Sequence, residues 1–186
     1  MKVFDSLKKK AEESKKVIVF PEGNDDRIIK AAVRLEKEGI VKPLLLGKPD
    51  EVIETAQSLN VDLGSIEIIN PAVYPDFEKM CQDFIELRKG KNTLAEAKKI
   101  LQDVSYFGTM LVYEGKADGM VSGATHSTAN TVRPALQIIK TKKGMSRVSG
   151  AMIMERGDEK YIFADCAINI DPDSETLAEI AYQSSK

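Results

Sequence analysis

Cysteine and histidine are scarce in this sequence: 186 residues hold two cysteines, Cys81 and Cys166, and one histidine, His126. Neither cysteine has a second cysteine or a histidine at ligand spacing, which speaks against a zinc site and a disulfide framework and fits a reducing, cytoplasmic setting. No apolar run approaches the roughly 20 residues that span a bilayer. The opening stretch MKVFDSLKKKAEESKK lacks the apolar centre of a signal peptide. An excess of either charge is missing too: Lys plus Arg number 27 and Asp plus Glu 29, a formal charge of -2. With the basic residues scattered, nucleic acid is not an expected partner, and the runs Lys8–Lys10 and Lys140–Lys143 read first as solvated charge. Gly-x-Gly-x-x-Gly and Gly-x-x-x-x-Gly-Lys-Ser/Thr are both absent, which removes the common dinucleotide and nucleoside-triphosphate fingerprints.

What is present is the grammar of a soluble α/β protein. Apolar residues at 42% and charged residues at 30% allow a packed core and argue against disorder. Short apolar runs at Val17–Phe20, Val41–Leu46 and Ile66–Ile69 read as buried strands. Between them lie amphipathic helices: one opens at Asn24–Asp26 and carries Ile28, Ala31, Ala32 and Leu35; the next follows Gly47–Asp50 and carries Val52, Ile53, Ala56 and Leu59. A further helix places Phe77, Met80, Cys81, Phe84 and Ile85 at helical spacing, which makes Cys81 a core residue. Thr93 and Glu96 have capping-box spacing, and Tyr106–Tyr113 predicts another helix. Alternation of this kind predicts a mostly parallel sheet covered by helices on both faces. Asp25 and Asp26 have the chemistry to bind a metal or act as bases, but acids in a first helical turn more commonly complement the helix dipole.

The stretch Asp118–Leu136 carries the strongest functional signal. A short strand, Gly119–Val121, runs into Ser122-Gly123-Ala124 and then a segment rich in hydroxyls, with Ser122, Thr125, Ser127, Thr128 and Thr131 surrounding His126. Unpaired backbone N–H groups and a helix dipole converge at such a turn, which predicts an anion site. Ser122, Ser127, Thr128 and Thr131 either bind a phosphate through their hydroxyls or cap helix N–H groups. Pro134 disfavours an α conformation at Arg133, so a helix break is expected there, with Arg133 at a helix start. A guanidinium in that place can grip two phosphate oxygens. His126 has the pKa range of a general acid or base, yet a lone histidine in a polar turn more often makes a structural hydrogen bond.

Past Gly144 the pattern changes. Val148–Met154 and Tyr161–Ala164 read as a β-hairpin around Glu155–Lys160, followed by Asp165-Cys166, placing Cys166 at a strand end, and by a helix from Ser174. Two domains are therefore expected, residues 1–146 and the beginning of a second at 147–186.

Several strings in fixed order carry a family resemblance: Phe20-Pro21-Glu22-Gly23, Tyr106-Phe107-Gly108-Thr109-Met110, Ala117–Ala124, His126-Ser127-Thr128, Arg133–Gln137 and Phe163–Cys166. Together they resemble the phosphate acetyltransferases (phosphotransacetylases) along the whole chain. The resemblance implies a three-layer αβα fold of the isocitrate/isopropylmalate-dehydrogenase type with two domains, homodimers at full length, and reversible exchange of acetyl-CoA plus phosphate for acetyl phosphate plus CoA. It implies no metal in the chemistry and no tightly bound cofactor, with CoA and acetyl-CoA as substrates. By motif, Arg133 corresponds to an active-site arginine, Ser122, Ser127, Thr128 and Thr131 to the phosphate and acetyl pocket, and Arg88 to an arginine linked to CoA. Family chains continue past the position of Lys186 and bring a Ser-Arg pair and a catalytic aspartate. The chain is accordingly expected to be an amino-terminal portion, inactive alone.

Competing readings are a butyryl or other acyl phosphate transferase, and a non-catalytic acetyl-CoA-sensing domain. An isocitrate-type dehydrogenase shares only the expected fold.

Overall fold

The computed structural model describes residues 3–186; Met1 and Lys2, which belong to the expected first domain, lie outside the described residues. The elements are α1 (Val3–Ser14), β1 (Val17–Phe20), α2 (Asp26–Lys37), β2 (Lys42–Leu46), α3 (Pro49–Ser58), β3 (Glu67–Ile69), α4 (Phe77–Leu87), α5 (Leu94–Ile100), α6 (Val104–Tyr113), β4 (Gly119–Met120), α7 (Thr128–Ile138), β5 (Ala151–Arg156), β6 (Glu159–Ala164) and α8 (Ser174–Ser184). The described residues divide into two compact units, Leu7–Ile139 and a smaller one made of residues 140–186 with residues 3–6.

In the larger unit four strands form a parallel sheet in the order β3-β2-β1-β4. Alternating side chains send the strands' apolar residues to opposite faces. Val19, Leu44 and Leu46 pack with Met80, Phe84, Phe107, Met110, Leu111 and Ile138 from α4, α6 and α7. Phe20 and Leu45 pack with Ile29, Ala32, Val52 and Ala56 from α2 and α3. The result is the three-layer αβα arrangement, an α/β fold with helices on both faces. Cys81 lies in the first of these clusters and is fully buried, which pushes its thiol pKa up.

The helix starts follow local chemistry. Asp25 accepts from Arg27 N at α2, Asp103 from Ser105 N and Tyr106 N at α6, and Thr93 with Glu96 forms a reciprocal capping box at α5. Asp25 is thus a cap. Gly108 lets α6 lie close on the sheet: a Cβ there would stand 2.9 Å from Met120 Sδ and 3.1 Å from Val19 Cγ1.

The strand order places a topological switch between β1 and β4, because the chain leaves β1 towards β2 on one side and returns to β4 on the other. The helices that follow, α2 and α7, lie on opposite faces of the sheet. Ligand crevices in open α/β sheets form where two such loops diverge at the carboxyl ends of the strands.

In the smaller unit, β5 and β6 pair antiparallel in a register from Ala151↔Ala164 to Arg156↔Glu159. The strands therefore extend into the expected Glu155–Lys160 loop and leave Gly157-Asp158 as a two-residue turn, tied by the Arg156–Glu159 ion pair at 2.6 Å. Beyond β6, Asp165 accepts from the N–H groups of Ala167, Ile168 and Asn169. Cys166 is exposed.

Among the described residues no helix is long and apolar enough to cross a membrane, and no group of three or more His, Cys, Asp or Glu side chains is placed to hold a metal ion.

Candidate functional site

The site region is built where β1 and β4 end. β4 is short, but its ladder is extended by Asp118 N donating to Val17 O at 2.8 Å and Val121 N to Val19 O at 2.9 Å. The chain then turns through Ser122–His126, and Ser127 caps α7 by accepting from Asn130 N at 3.3 Å.

The expected anion site exists, and its anion belongs to the protein. Glu22, two residues beyond β1 and 3% exposed, places its carboxylate inside the turn. Oε2 accepts from Gly123 N at 3.0 Å and Ala124 N at 2.9 Å. Oε1 accepts from Thr125 N at 2.6 Å, Thr125 Oγ1 at 3.0 Å and His126 N at 2.8 Å, with His126 Nδ1 at 2.9 Å. Burial opposes ionisation of this carboxyl, but the N–H groups of Thr125, His126 and Ala124 and the His126 ring outweigh it, and its pKa lies far below the ordinary glutamate value. An ionised carboxylate only accepts, so the proton of the Glu22–His126 contact is assigned to Nδ1. The turn N–H groups are therefore engaged by Glu22, which corrects the expectation that they await an outside anion.

Arg27 fastens the same turn from the other side. It grips Asp25 through Nε at 3.0 Å and Nη2 at 2.8 Å, and Nη2 also donates to Ala124 O at 2.7 Å.

The break expected at Pro134 does not occur. α7 runs unbroken from Thr128 to Ile138 with Pro134 inside it, so Arg133 sits within the helix and not at its start. A proline this far into a helix removes one bond, at a typical cost of about 3 kcal/mol. Here the ring is buried, the Ser127 cap fixes the helix start, and the ladder resumes with Ile139 N to Ala135 O at 2.9 Å. Tertiary packing overrides the local preference.

The residues singled out in the sequence form two groups. Ser122, Ser127 and Thr131 lie together: Thr131 Oγ1 is 3.4 Å from Ser122 Oγ and 3.3 Å from Ser127 O. Thr128 is exposed at the first position of α7. Arg133 departs from the opposite side of the helix, since two residues at about 100° each separate it from Thr131. It shares its face with Gln137, four residues on, whose Oε1 accepts from the Tyr106 hydroxyl at 3.1 Å.

Arg88, at the carboxyl end of α4, belongs to this second group. Burial pushes the Tyr106 phenol pKa up, while the charges of Arg133 and Arg88 both pull it down. The two guanidinium groups thus act on one phenol. Arg88 is half-buried, and among the described residues its Nε has no hydrogen-bond partner. Arg133 is exposed.

A cleft of about 360 Å³ lies at the carboxyl ends of β1, β2 and β3, bordered by Glu22, Asn24, Lys48, Asn70, Gln102, Thr125 and His126 among others. Ser122, Ser127, Thr128, Thr131, Arg133 and Arg88 are not among its lining residues. Glu22, Tyr106 and Gln137 lie in the strings that carry the family resemblance, but no individual role for any of them is read from the sequence. The signal for Glu22 is an acid directly after a buried apolar strand, in a chain that also offers a donor-rich turn.

A parallel sheet with a switch point, helices on both faces and a donor-rich turn filled by the protein's own carboxylate define an α/β protein of the open-sheet class. The family model described as "Phosphate acetyl/butaryl transferase" matches residues 2–186, and the chain belongs to that family. A phosphate acetyltransferase of Bacillus subtilis (strain 168) is 52% identical over 183 residues, which is 98% of this chain and 57% of that protein. One of Staphylococcus aureus (strain MRSA252) is 56% identical over 169 residues, 91% of this chain and 52% of that protein. Solved structures are similar as well, and two serve as examples. The EutD phosphotransacetylase from Staphylococcus aureus has a TM-score of 0.89 at 54% identity, over 95% of this chain and 54% of its own. A phosphotransacetylase from Streptococcus pyogenes has a TM-score of 0.91 at 53% identity, over 97% and 56%. The chain thus spans little more than half the length of these relatives.

Proposed function

We propose that this chain forms the first α/β domain, residues 1–146, and the opening part of the second, residues 147–186, of a phosphate acetyltransferase. The enzyme moves an acetyl group reversibly between CoA and phosphate: acetyl-CoA plus phosphate gives acetyl phosphate plus CoA. The observation that carries the reading is the family match over residues 2–186, beside a helix α7 that presents Arg133 on one side and the hydroxyls of Ser127 and Thr131, with Ser122, on the other. Relatives named phosphate acetyltransferase over nearly all of this chain favour acetyl over butyryl.

In the direction of acetyl-CoA synthesis, the CoA sulfur attacks the acetyl carbonyl carbon of acetyl phosphate. A carbon–sulfur bond forms, the carbon–oxygen bond to phosphate breaks, and the thiol proton passes to a base supplied from outside residues 1–186. Arg133 neutralises charge on the departing phosphate, where a permanently charged donor helps most as charge develops. Ser127, Thr128, Thr131 and Ser122 orient the phosphate and acetyl groups. Arg88 holds the negatively charged end of CoA. The full-length protein works in the cytoplasm as a homodimer with CoA as a substrate.

The test is CoA-dependent consumption of acetyl phosphate, measured on the 186-residue chain and on the same chain joined to the remaining part of the Bacillus subtilis relative. The joined protein should turn over, with acetyl phosphate preferred to butyryl phosphate, and the shorter chain should not. Robust turnover by the 186-residue chain would overturn the assignment of the base, and acetyl-CoA binding without turnover by the joined protein would favour a sensing domain.

A further inference from the structure

We infer that Glu22 is a positioning residue for substrate phosphate: its carboxylate takes the anion place in the Gly123–His126 turn and thereby holds the amino-terminal end of α7, with Ser127, Thr128 and Thr131, in its working position. The inference rests on the reading of those hydroxyls as the phosphate side of an acyl-transfer site.

Glu22 is well suited to the task because its own backbone is fixed first. Gly23 N donates to Leu46 O at 3.1 Å and Asp25 N to Glu22 O at 3.0 Å, so the exit of β1 is tied to the end of β2 before the side chain leaves it. From there one carboxylate collects four consecutive backbone N–H groups and two side chains of a segment 101 to 104 residues away. Ser127 follows His126 directly and starts α7. On the far side of the turn Arg27, itself held by Asp25, donates to Ala124 O and leaves these N–H groups to Glu22.

The arrangement also decides what the turn does not do. A turn with its N–H groups aimed at a buried negative charge repels a second anion, so the substrate phosphate is held by side chains beyond the turn. Glu22 touches neither substrate nor reacting atoms in this scheme. It acts through the turn and the Ser127 cap, and substitution should therefore alter the handling of phosphate more than that of CoA.

Two measurements separate this role from the function on which it rests. On the 186-residue chain, inorganic phosphate is titrated while the amide resonances of Gly123–His126 are followed. In the wild type the Gly123 and Ala124 resonances, which lie furthest from Ser127, should stay unmoved. In Glu22→Ala they should shift and saturate as phosphate or formate enters the vacated turn. Saturable shifts of Gly123 and Ala124 in the wild type would overturn the inference whatever the enzyme does. On the chain completed with the remaining part of the Bacillus subtilis relative, Glu22→Gln is compared with wild type for both substrates after circular dichroism has shown each to be folded. The expected result is a rise of tenfold or more in KM for acetyl phosphate, with KM for CoA within twofold, and at least fivefold recovery of Glu22→Ala by formate. A folded Glu22→Gln with unchanged kinetics, or with both KM values raised equally, would refute the positioning role. Absence of turnover in the wild type would count against the proposed function and leave the first measurement to decide.

Discussion

The hydroxyl of Tyr106 donates to Gln137 Oε1 at 3.1 Å, a single hydrogen bond that joins α6 to the face of α7 carrying Arg133. Tyr106 stands edge-on to Phe84 with ring centroids 6.3 Å apart, so the phenol is itself held by the core. Tyr106→Phe keeps the ring and removes the bond. Stability should fall by about 0.5–1.5 kcal/mol, read from urea unfolding, and KM for CoA in the completed enzyme should rise because α7, which carries Arg133, loses its side-chain tie to α6. An unchanged KM with the stability loss intact would confine Tyr106 to packing.

The separation of Arg133 from Thr131 around α7 predicts that the two arginines and the hydroxyls fail differently. Arg133→Gln should lower kcat by on the order of 10²–10³, the usual effect of removing a donor at developing charge. Arg88→Gln should raise KM for CoA about tenfold or more through loss of a charged hydrogen bond and leave kcat within a few-fold. Because Arg133 is exposed, its substitution should change stability by less than about 0.5 kcal/mol. Steady-state kinetics beside thermal unfolding checks both halves. A kcat loss from Arg88→Gln equal to that from Arg133→Gln would show that the two arginines serve one role.

Acid should remove the stability that the Glu22 carboxylate contributes by joining β1 to the turn after β4. The folded-state pKa of Glu22 is depressed from the ordinary 4.5, so its contribution is fully present above about 4.5 and is lost as pH falls below that value. Glu38, held at about 2 by Arg34 and Lys8, titrates in the same direction, so the contribution of Glu22 is isolated by comparison with Glu22→Gln. At pH 7 the variant should be less stable by about 2–4 kcal/mol, the cost of weakened charged bonds and unpaired buried donors. From about pH 4.5 down to pH 3 the gap between the two proteins should narrow steadily, closing fully only below the depressed folded-state pKa. Urea midpoints at pH 7, 5, 4 and 3 test this, and a difference that stays constant would contradict it.

Much of the larger unit is legible in the sequence because its signals are local. The apolar runs of β1 and β2, the Thr93–Glu96 capping box and the helical spacing of Met80, Cys81 and Phe84 each report on residues within a turn or a strand of one another. The functional region is less legible because it depends on strand order. Nothing in the spacing of Glu22 and Gly123–His126 says that they meet; they do so because β1 and β4 are neighbours. The donor-rich turn was readable as an anion site, but the identity of its anion was not. Pro134 misled for the opposite reason: the local rule is sound, but a buried ring on α7 and a cap at Ser127 carry the helix through it.

Gly23 offers the sharpest test of how this end of the sheet is assembled. A Cβ at this position would stand 2.4 Å from Leu46 O and 3.1 Å from Leu45 Cβ. The first of these is a backbone oxygen of a buried strand and has no rotamer by which to move away. The same oxygen accepts the Gly23 N–H, so Gly23→Ala both crowds the contact and stretches the bond. Overpacking at about 1–3 kcal/mol with a weakened hydrogen bond at about 1 kcal/mol gives an expected loss of about 2–4 kcal/mol. The displacement is passed to the adjacent Glu22, so exchange protection of the Thr125 and His126 amides should fall further than that of α4 amides around Phe84, which packs in the cluster with Val19 and Leu44. Equal loss of protection at both places would mean that Gly23 serves the stability of the unit as a whole and not the placement of the Glu22 carboxylate.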